Sequence, residues 1–233
     1  MPFRPVYVGL AECEQVRGTA VVIDVLRAFT TAAWALHLGV ERIVLTAEID
    51  EALRIKSMLP GALAMKDSKP MEGFELSNSP VELQAASGLA RRTIVQRTTH
   101  GTVGAWAARA ASNLYCASFL VAGATARAIR ESRVPEVYFV VTGEGGTAEE
   151  DRACAEYIAA LAKDPDADAA PYLRRAWGSN VAGMLAQRAT DGVPGVHKQD
   201  VETCLQADRF DFAMRVTHEQ GLLVLRPYNF PDG

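Results

Sequence analysis

Asp24-Val25-Leu26-Arg27-Ala28-Phe29-Thr30-Thr31 follows a run of apolar residues and leads into a helical pattern. One turn therefore holds a carboxylate, a guanidinium and two hydroxyls. Where a strand ends and a helix begins, unpaired backbone N–H groups and the positive end of the helix are open to an anion. Arg27 and Thr30 add the charged fork and the hydroxyl that phosphoryl oxygens accept from. The structural alternative is an Asp24 that caps the turn with Arg27 paired to it. A second turn, Thr98-Thr99-His100-Gly101-Thr102, offers three hydroxyls and a glycine that allows close backbone approach to an oxyanion. Capping alone would use one of those threonines, not three. His100 reads either as a surface residue or as an acid–base group.

A third turn, Thr142-Gly143-Glu144-Gly145-Gly146-Thr147, leads into Glu149-Glu150-Asp151. It lacks the Lys-Ser/Thr of a P-loop and has no acid placed for a dinucleotide ribose. Acids in a first helical turn can simply complement the helix dipole. Carboxylates beside an anion site are also what Mg²⁺ takes, since it binds one or two of them and fills the remaining positions with substrate oxygen and water. Asp24, Glu150 and Asp151 are the metal candidates. A haloacid-dehalogenase nucleophile is excluded, because Leu26 stands where the second Asp of Asp-x-Asp would be, and no cysteine is followed by Arg across a short loop. Metal-assisted attack by water is the chemistry left.

The elements that must hold these turns follow from hydrophobic periodicity. Strands are expected at Val6 to Leu10, Thr19 to Val25, Glu41 to Thr46, Thr93 to Arg97, Asn113 to Phe119 and Glu136 to Val141. Helices are expected at Ala28 to Leu38, Glu48 to Met58, Thr102 to Ala111, Ala122 to Glu131 and Ala148 to Ala162, then near Ala176 to Ala189 and Lys198 to Ala207. Phe212 to Val216 and Leu222 to Leu225 read as a closing hairpin at a sheet edge. Leu59 to Pro80, rich in Pro and Gly, reads as a loop of about twenty residues folded over the pocket, which puts Asn78 among the substrate contacts. Ser79 is also placed to cap a helix that begins at Pro80.

Sliding the chain by 72 residues aligns the Asp24 turn with the Thr98 turn and matches Thr30, Ala33, Trp34 and Ala35 to Thr102, Ala105, Trp106 and Ala107. This predicts two related halves, near 19–58 and 91–130, whose strands occupy equivalent positions, followed by a helical and hairpin part over 164–233. The fold class is α/β: one domain over 1–233, a three-layer α/β/α sandwich with a largely parallel sheet mixed at its edge and an internally duplicated βα core.

Composition bounds the function. The chain has 233 residues, is 49% hydrophobic and carries a net charge of −4, which fits a folded core and excludes a disordered protein. No apolar run reaches the ~18 residues of a membrane span, and Met1-Pro2-Phe3-Arg4-Pro5 lacks a signal-peptide stretch, so the expectation is a cytoplasmic protein with no membrane partner. The slightly acidic chain has no basic run for nucleic acid, although Arg outnumbers Lys 19 to 5, which suits recognition of small anions. Cys13, Cys116, Cys154 and Cys204 are too scattered for a disulfide framework or a zinc site and read as reduced core residues.

Taken with Gly73-Phe74-Glu75-Leu76-Ser77-Asn78-Ser79-Pro80, and in this order and spacing, the motifs resemble the 2-phosphosulfolactate phosphatase (ComB-like) family through most of the chain, including Asp200-Val201 to Asp208. The resemblance implies Mg²⁺-dependent conversion of 2-phosphosulfolactate and water to sulfolactate and phosphate, on the route to coenzyme M. It implies a small anionic phosphate ester as partner and leaves a homodimer open. Around the site it places Asp24, Arg27, Asn78, Thr98, Thr99, Gly101, Glu150 and Asp151. Two positions depart from the family pattern: Met65-Lys66-Asp67 stands where Gly-Glu-Arg is common, and His100 replaces an Asn. A relative that binds a phosphorylated or sulfonated anion without turnover, and a structural protein using these residues as caps, are the competing readings. Under the phosphatase reading, Arg27→Ala and Asp151→Asn lose rate and keep stability.

Overall fold

The computed structural model describes residues 3–230. In chain order the strands are β1 (Arg4–Val8), β2 (Thr19–Ile23), β3 (Arg42–Thr46), β4 (Leu63–Lys66), β5 (Leu76–Ser77), β6 (Thr93–Arg97), β7 (Asn113–Ala117), β8 (Glu136–Val141), β9 (Ala213–Glu219) and β10 (Leu222–Tyr228). The helices are α1 (Ala28–His37), α2 (Ile49–Met58), α3 (Pro80–Ala85), α4 (Gly101–Ala107), α5 (Ala122–Ser132), α6 (Glu149–Lys163), α7 (Ala170–Trp177), α8 (Asn180–Thr190) and α9 (Asp200–Cys204). Every residue of β2 is buried, as an apolar β-branched run covered on both faces should be.

All ten strands form one sheet in the order β1-β8-β2-β7-β9-β10-β3-β6-β4-β5. The order is palindromic: exchanging β1 with β5, β8 with β4, β2 with β6, β7 with β3 and β9 with β10 returns the same sheet. The chain segments β2-α1-β3-α2-β4 and β6-α4-β7-α5-β8 are therefore equivalent in topology, as the internal repeat predicts. Register sharpens the equivalence. Thr19 pairs with Asn113 as Thr93 pairs with Arg42, so the matching strands are displaced slightly from a uniform 72-residue slide.

Each outer group of four strands is parallel within itself. The β9–β10 hairpin joins the groups through antiparallel pairings to β7 and β3, so the two groups run in opposite senses along the sheet. The antiparallel pair expected at the sheet edge thus lies at its centre, with both of its outer sides paired. Twist of about 20–25° per strand, accumulated from β2 across to β6, turns the C-terminal ends of these two strands toward each other. α1 and α4 pack together beneath that meeting point, while α5 packs on α6 and α6 on α7. This is a three-layer α/β sandwich, and its main core runs through both halves.

Two expectations change in detail. Leu59 to Pro80 is not loop throughout: Leu63–Lys66 adds to β6 and Leu76–Ser77 adds to β4, because a short apolar run beside an unpaired edge gains backbone partners. The helix expected near Ala176 to Ala189 is two helices, separated where Ser179 caps α8 by accepting from Ala182 N at 3.1 Å. The four cysteines are buried and free. Among the described residues no helix is long and apolar enough to cross a membrane.

Candidate active site

The three turns singled out in the sequence meet in one cleft of about 330 Å³, lined among others by Asp24, Arg27, Asn78, Thr98, Thr99, His100, Thr142, Glu150 and Asp151. Asp24 leaves the end of β2 and accepts Ala28 N–H at 2.9 Å through Oδ1. Its other oxygen faces α4: a Cβ built on Gly101 would lie 2.7 Å from Asp24 Oδ2 and equally close to Ala28 Cβ. Gly101 is thus a residue without a side chain where one would collide with the acid. Asp151, from the first turn of α6, ties its own turn to that of Asp24. Oδ1 accepts from Val25 N at 2.8 Å, while Oδ2 accepts from Gly143 N at 3.1 Å and Thr142 Oγ1 at 3.3 Å. Glu150 beside it is 3% exposed, and its Oε2 has no hydrogen-bond partner among the described residues.

These three acids perturb one another. Burial lifts the Asp24 carboxyl above its usual range, opposed by the N–H groups of Ala28 and Gly101 and by His100, and reinforced by Asp67. Burial likewise pushes Asp151 well up, with the charges of Asp24 and Glu150 adding to it. Glu150 is raised by burial and by Asp24 and Glu144, against its own N–H and the Ser179 hydroxyl. Buried like charges of this kind call for a proton or a cation. The donors are all oxygens, the set a hard divalent ion takes, and the unpartnered Glu150 Oε2 fits such an ion. Among the described residues they are not drawn together into a closed three-ligand cage. Mg²⁺ does not require one, because water and substrate complete its shell.

Arg27 does not pair with Asp24. Its Nη1 donates to Asp200 Oδ2 at 2.5 Å and to Gly195 O at 2.7 Å, and both side chains are buried. Asp200 also accepts from Ser79 Oγ at 2.7 Å and His197 N at 2.9 Å, so it fastens α9 and the start of α3 to the Asp24 turn. Asn78 is buried in the cleft wall. Its carbonyl accepts from Thr31 Oγ1, while its Oδ1 lacks a partner among the described residues. Ser79 caps α3 by accepting from Glu82 N at 3.2 Å, so the segment both caps a helix and lines the cleft.

The hydroxyl turn is less open than its sequence suggests. Thr98 Oγ1 accepts from Thr102 N at 3.0 Å and Thr102 Oγ1 accepts from Thr98 N at 2.8 Å, a reciprocal cap that occupies both residues. Thr30 is likewise fully buried and donates to Val25 O at 2.8 Å. Thr30, Gly101 and Thr102 therefore lie behind the cleft surface. Thr99 and His100 are exposed in it, and Thr99 N–H donates to Asp67 Oδ2 at 2.8 Å.

Asp67 and Arg188 also line the cleft, and Asp200 anchors Arg27 beside it, though the motifs mark none of the three as a site residue. Asp67 was noted as a departure and Asp200 as part of the resemblance, and Arg188 had no local signal. Comparison with known proteins identifies the family. The sequence profile of the family described as 2-phosphosulpholactate phosphatase matches residues 7–219. A probable 2-phosphosulfolactate phosphatase of Bacillus subtilis is 29% identical over 202 residues, covering 85% of this chain and 87% of its own. One from Prochlorococcus marinus is 30% identical over 224 residues, 88% and 91% of the two chains. One from Deinococcus radiodurans is 35% identical over 150 residues, 61% and 62% of the two. With the profile running from β1 to the end of β9, through all three turns, the chain belongs to the 2-phosphosulfolactate phosphatase family of phosphoric monoester hydrolases.

Proposed function

We propose that this protein hydrolyses the phosphate monoester of a small 2-hydroxy acid in a Mg²⁺-dependent reaction in the cytoplasm, with 2-phosphosulfolactate as the first candidate because the relatives carry that name. The observation that carries this reading is the convergence of Asp24, Glu150 and Asp151, buried and mutually repelling, on a cleft that also holds Arg27. Glu150 Oε2, which has no partner among the described residues, and Asp24 Oδ2, which faces the start of α4, would hold Mg²⁺, with Asp151 beside them. When bound, the ion supplies positive charge against the phosphoryl oxygens and makes water a better nucleophile at neutral pH.

The chain's own residues do the rest. Arg27, anchored through one nitrogen to Asp200, keeps the other side of its fork for phosphoryl oxygens. The Asn78 amide and the Thr99 hydroxyl add neutral donors from two further walls. Held in this way, the ester presents phosphorus to a water on the acid side, in line with the departing oxygen. A second reading, binding of the anion without turnover, draws on Asp67, whose carboxylate already occupies the Thr99 N–H.

Phosphate release from a panel of 2-phospho acids, with and without Mg²⁺, tests the reading. Release that requires Mg²⁺ and falls at least about a hundredfold in kcat/KM for Asp151→Asn is the expected result. Tight binding of the same acids without release would favour the second reading.

A further inference from the structure

One wall of the cleft is supplied by a helix that contributes no motif. Val181, Met184, Leu185 and Arg188 of α8 all line it, and their spacing of three, four and seven residues puts them on a single face of that helix. The face is unusual for one turned toward a protein interior. Met184 is 47% exposed although it is large and apolar, and Arg188 is exposed, its guanidinium with no hydrogen-bond or ion-pair partner among the described residues. The other arginine of the cleft, Arg27, is buried and already paired with Asp200. Under the phosphatase reading, a phosphate ester beside the acids would be held by Arg27, with Asp24 and Glu150 as the residues that would hold a cation. For a second anionic group on the same small molecule the cleft lining offers only the His100 imidazole and Arg188 as further basic side chains, while Asp67 and Glu144 add negative charge.

We infer that Arg188 is a specificity-determining residue that binds the second strong anion of the substrate, a carboxylate or sulfonate at the end away from phosphorus, while Met184 and Val181 cover the short carbon chain between. The inference rests on the phosphatase reading for the position of the phosphate. A guanidinium suits this task because its planar fork can donate two parallel hydrogen bonds to either oxyanion. Placed at the mouth of an acidic cleft, it also selects against esters with a neutral tail, which gain nothing from it.

The test compares wild type, Arg188→Ala and Arg188→Lys on three esters: 2-phosphosulfolactate, 2-phospholactate and ethyl phosphate. Arg188→Ala should raise KM about tenfold or more for esters with a second anion, with kcat little changed, and leave ethyl phosphate unaffected. Arg188→Lys should recover part of the loss. A loss for both 2-phospho acids assigns the carboxylate, and a loss confined to 2-phosphosulfolactate assigns the sulfonate. Equal changes on all three esters, or none, would overturn the inference. Calorimetric binding of sulfolactate separates it from the phosphatase reading. If wild type releases no phosphate from any ester yet binds sulfolactate, and Arg188→Ala binds it at least about tenfold more weakly, hydrolysis is refuted and the role of Arg188 stands. If wild type neither turns over nor binds these acids, the inference falls. Because the Arg188 guanidinium has no partner to lose among the described residues, an unchanged melting temperature is the control for folding.

Discussion

The turn after β2 and the turn after β6 hold equivalent places in a palindromic sheet and meet in one cleft, yet they have divided the work. Both use the same capping device. Asp24 Oδ1 accepts the N–H four residues on, at Ala28, and Thr98 Oγ1 accepts the N–H four residues on, at Thr102. A carboxylate has a second oxygen, so Asp24 caps its turn and still turns Oδ2 toward the start of α4 in the other half. A threonine hydroxyl has one oxygen, and in the second turn it is consumed by the cap. The same correspondence sets Arg27 against Gly101. The acid turn carries a guanidinium there, while its counterpart carries no side chain, because Asp24 fills the space from the other half. Two topologically equivalent turns thus border one cleft, the first bringing a carboxylate and a guanidinium and the second hydroxyls.

The largest effect should come from Arg27→Ala, which tests whether the charged turn serves rate as well as structure. Removing the guanidinium leaves Asp200 buried and uncompensated, a change that costs about 3–5 kcal/mol in comparable ion pairs. The expectation from sequence that this variant keeps its stability is therefore revised by the Arg27–Asp200 pair. A drop of at least about a hundredfold in kcat/KM should accompany it. Arg27→Ala combined with Asp200→Asn should regain part of the melting temperature and none of the rate. If the rate returns with the stability, Arg27 is a strut and the turn holds no substrate contact.

Gly101→Ala probes the meeting of the two halves. The added methyl would sit 2.7 Å from Asp24 Oδ2 and from Ala28 Cβ, so either the acid or helix α1 must shift. Overpacking of this kind costs about 1–3 kcal/mol, and displacement of Asp24 should depress kcat more than KM. An unaltered melting temperature and rate would show that the turns do not approach this closely.

Local signals were sufficient where the physics is local. Thr93–Arg97 and Glu136–Val141 stand as apolar runs between breakers, and their strands match the expected bounds. Asp24 directly follows β2, and Glu150 and Asp151 lie in the first turn of α6 after the Gly-rich turn from β8, so their strand-to-helix setting is legible locally. The repeat was legible through two tryptophans, although side-chain identities set the slide slightly away from the strand register. What escaped depended on distant partners. The sequence of the β9–β10 hairpin cannot say whether both of its outer sides are paired, since that depends on the opposed direction of the two parallel groups. Arg27 finds Asp200 across 173 residues of chain. Arg188 belongs to a helix whose face is defined only by the cleft it borders.

The smallest effects should separate the hydroxyls within the uncharged turn. Thr102→Val is nearly isosteric, and it leaves the N–H and carbonyl of Thr98 without the Thr102 hydroxyl that now serves both. Leaving such buried groups unsatisfied costs about 1–3 kcal/mol, at roughly 2–4 °C per kcal/mol for a chain of this size. The loss should therefore appear as a melting temperature lowered by several degrees, with kcat/KM changed by less than about threefold. Thr99→Val removes a hydroxyl that is exposed in the cleft and has no partner among the described residues, so it should leave the melting temperature in place and raise KM by a few fold. The same chemical change, made three residues apart, then registers in different measurements. If Thr102→Val lost the rate and Thr99→Val did not, the capping hydroxyl would be the substrate's donor, and the division of labour between the two turns would have to be redrawn.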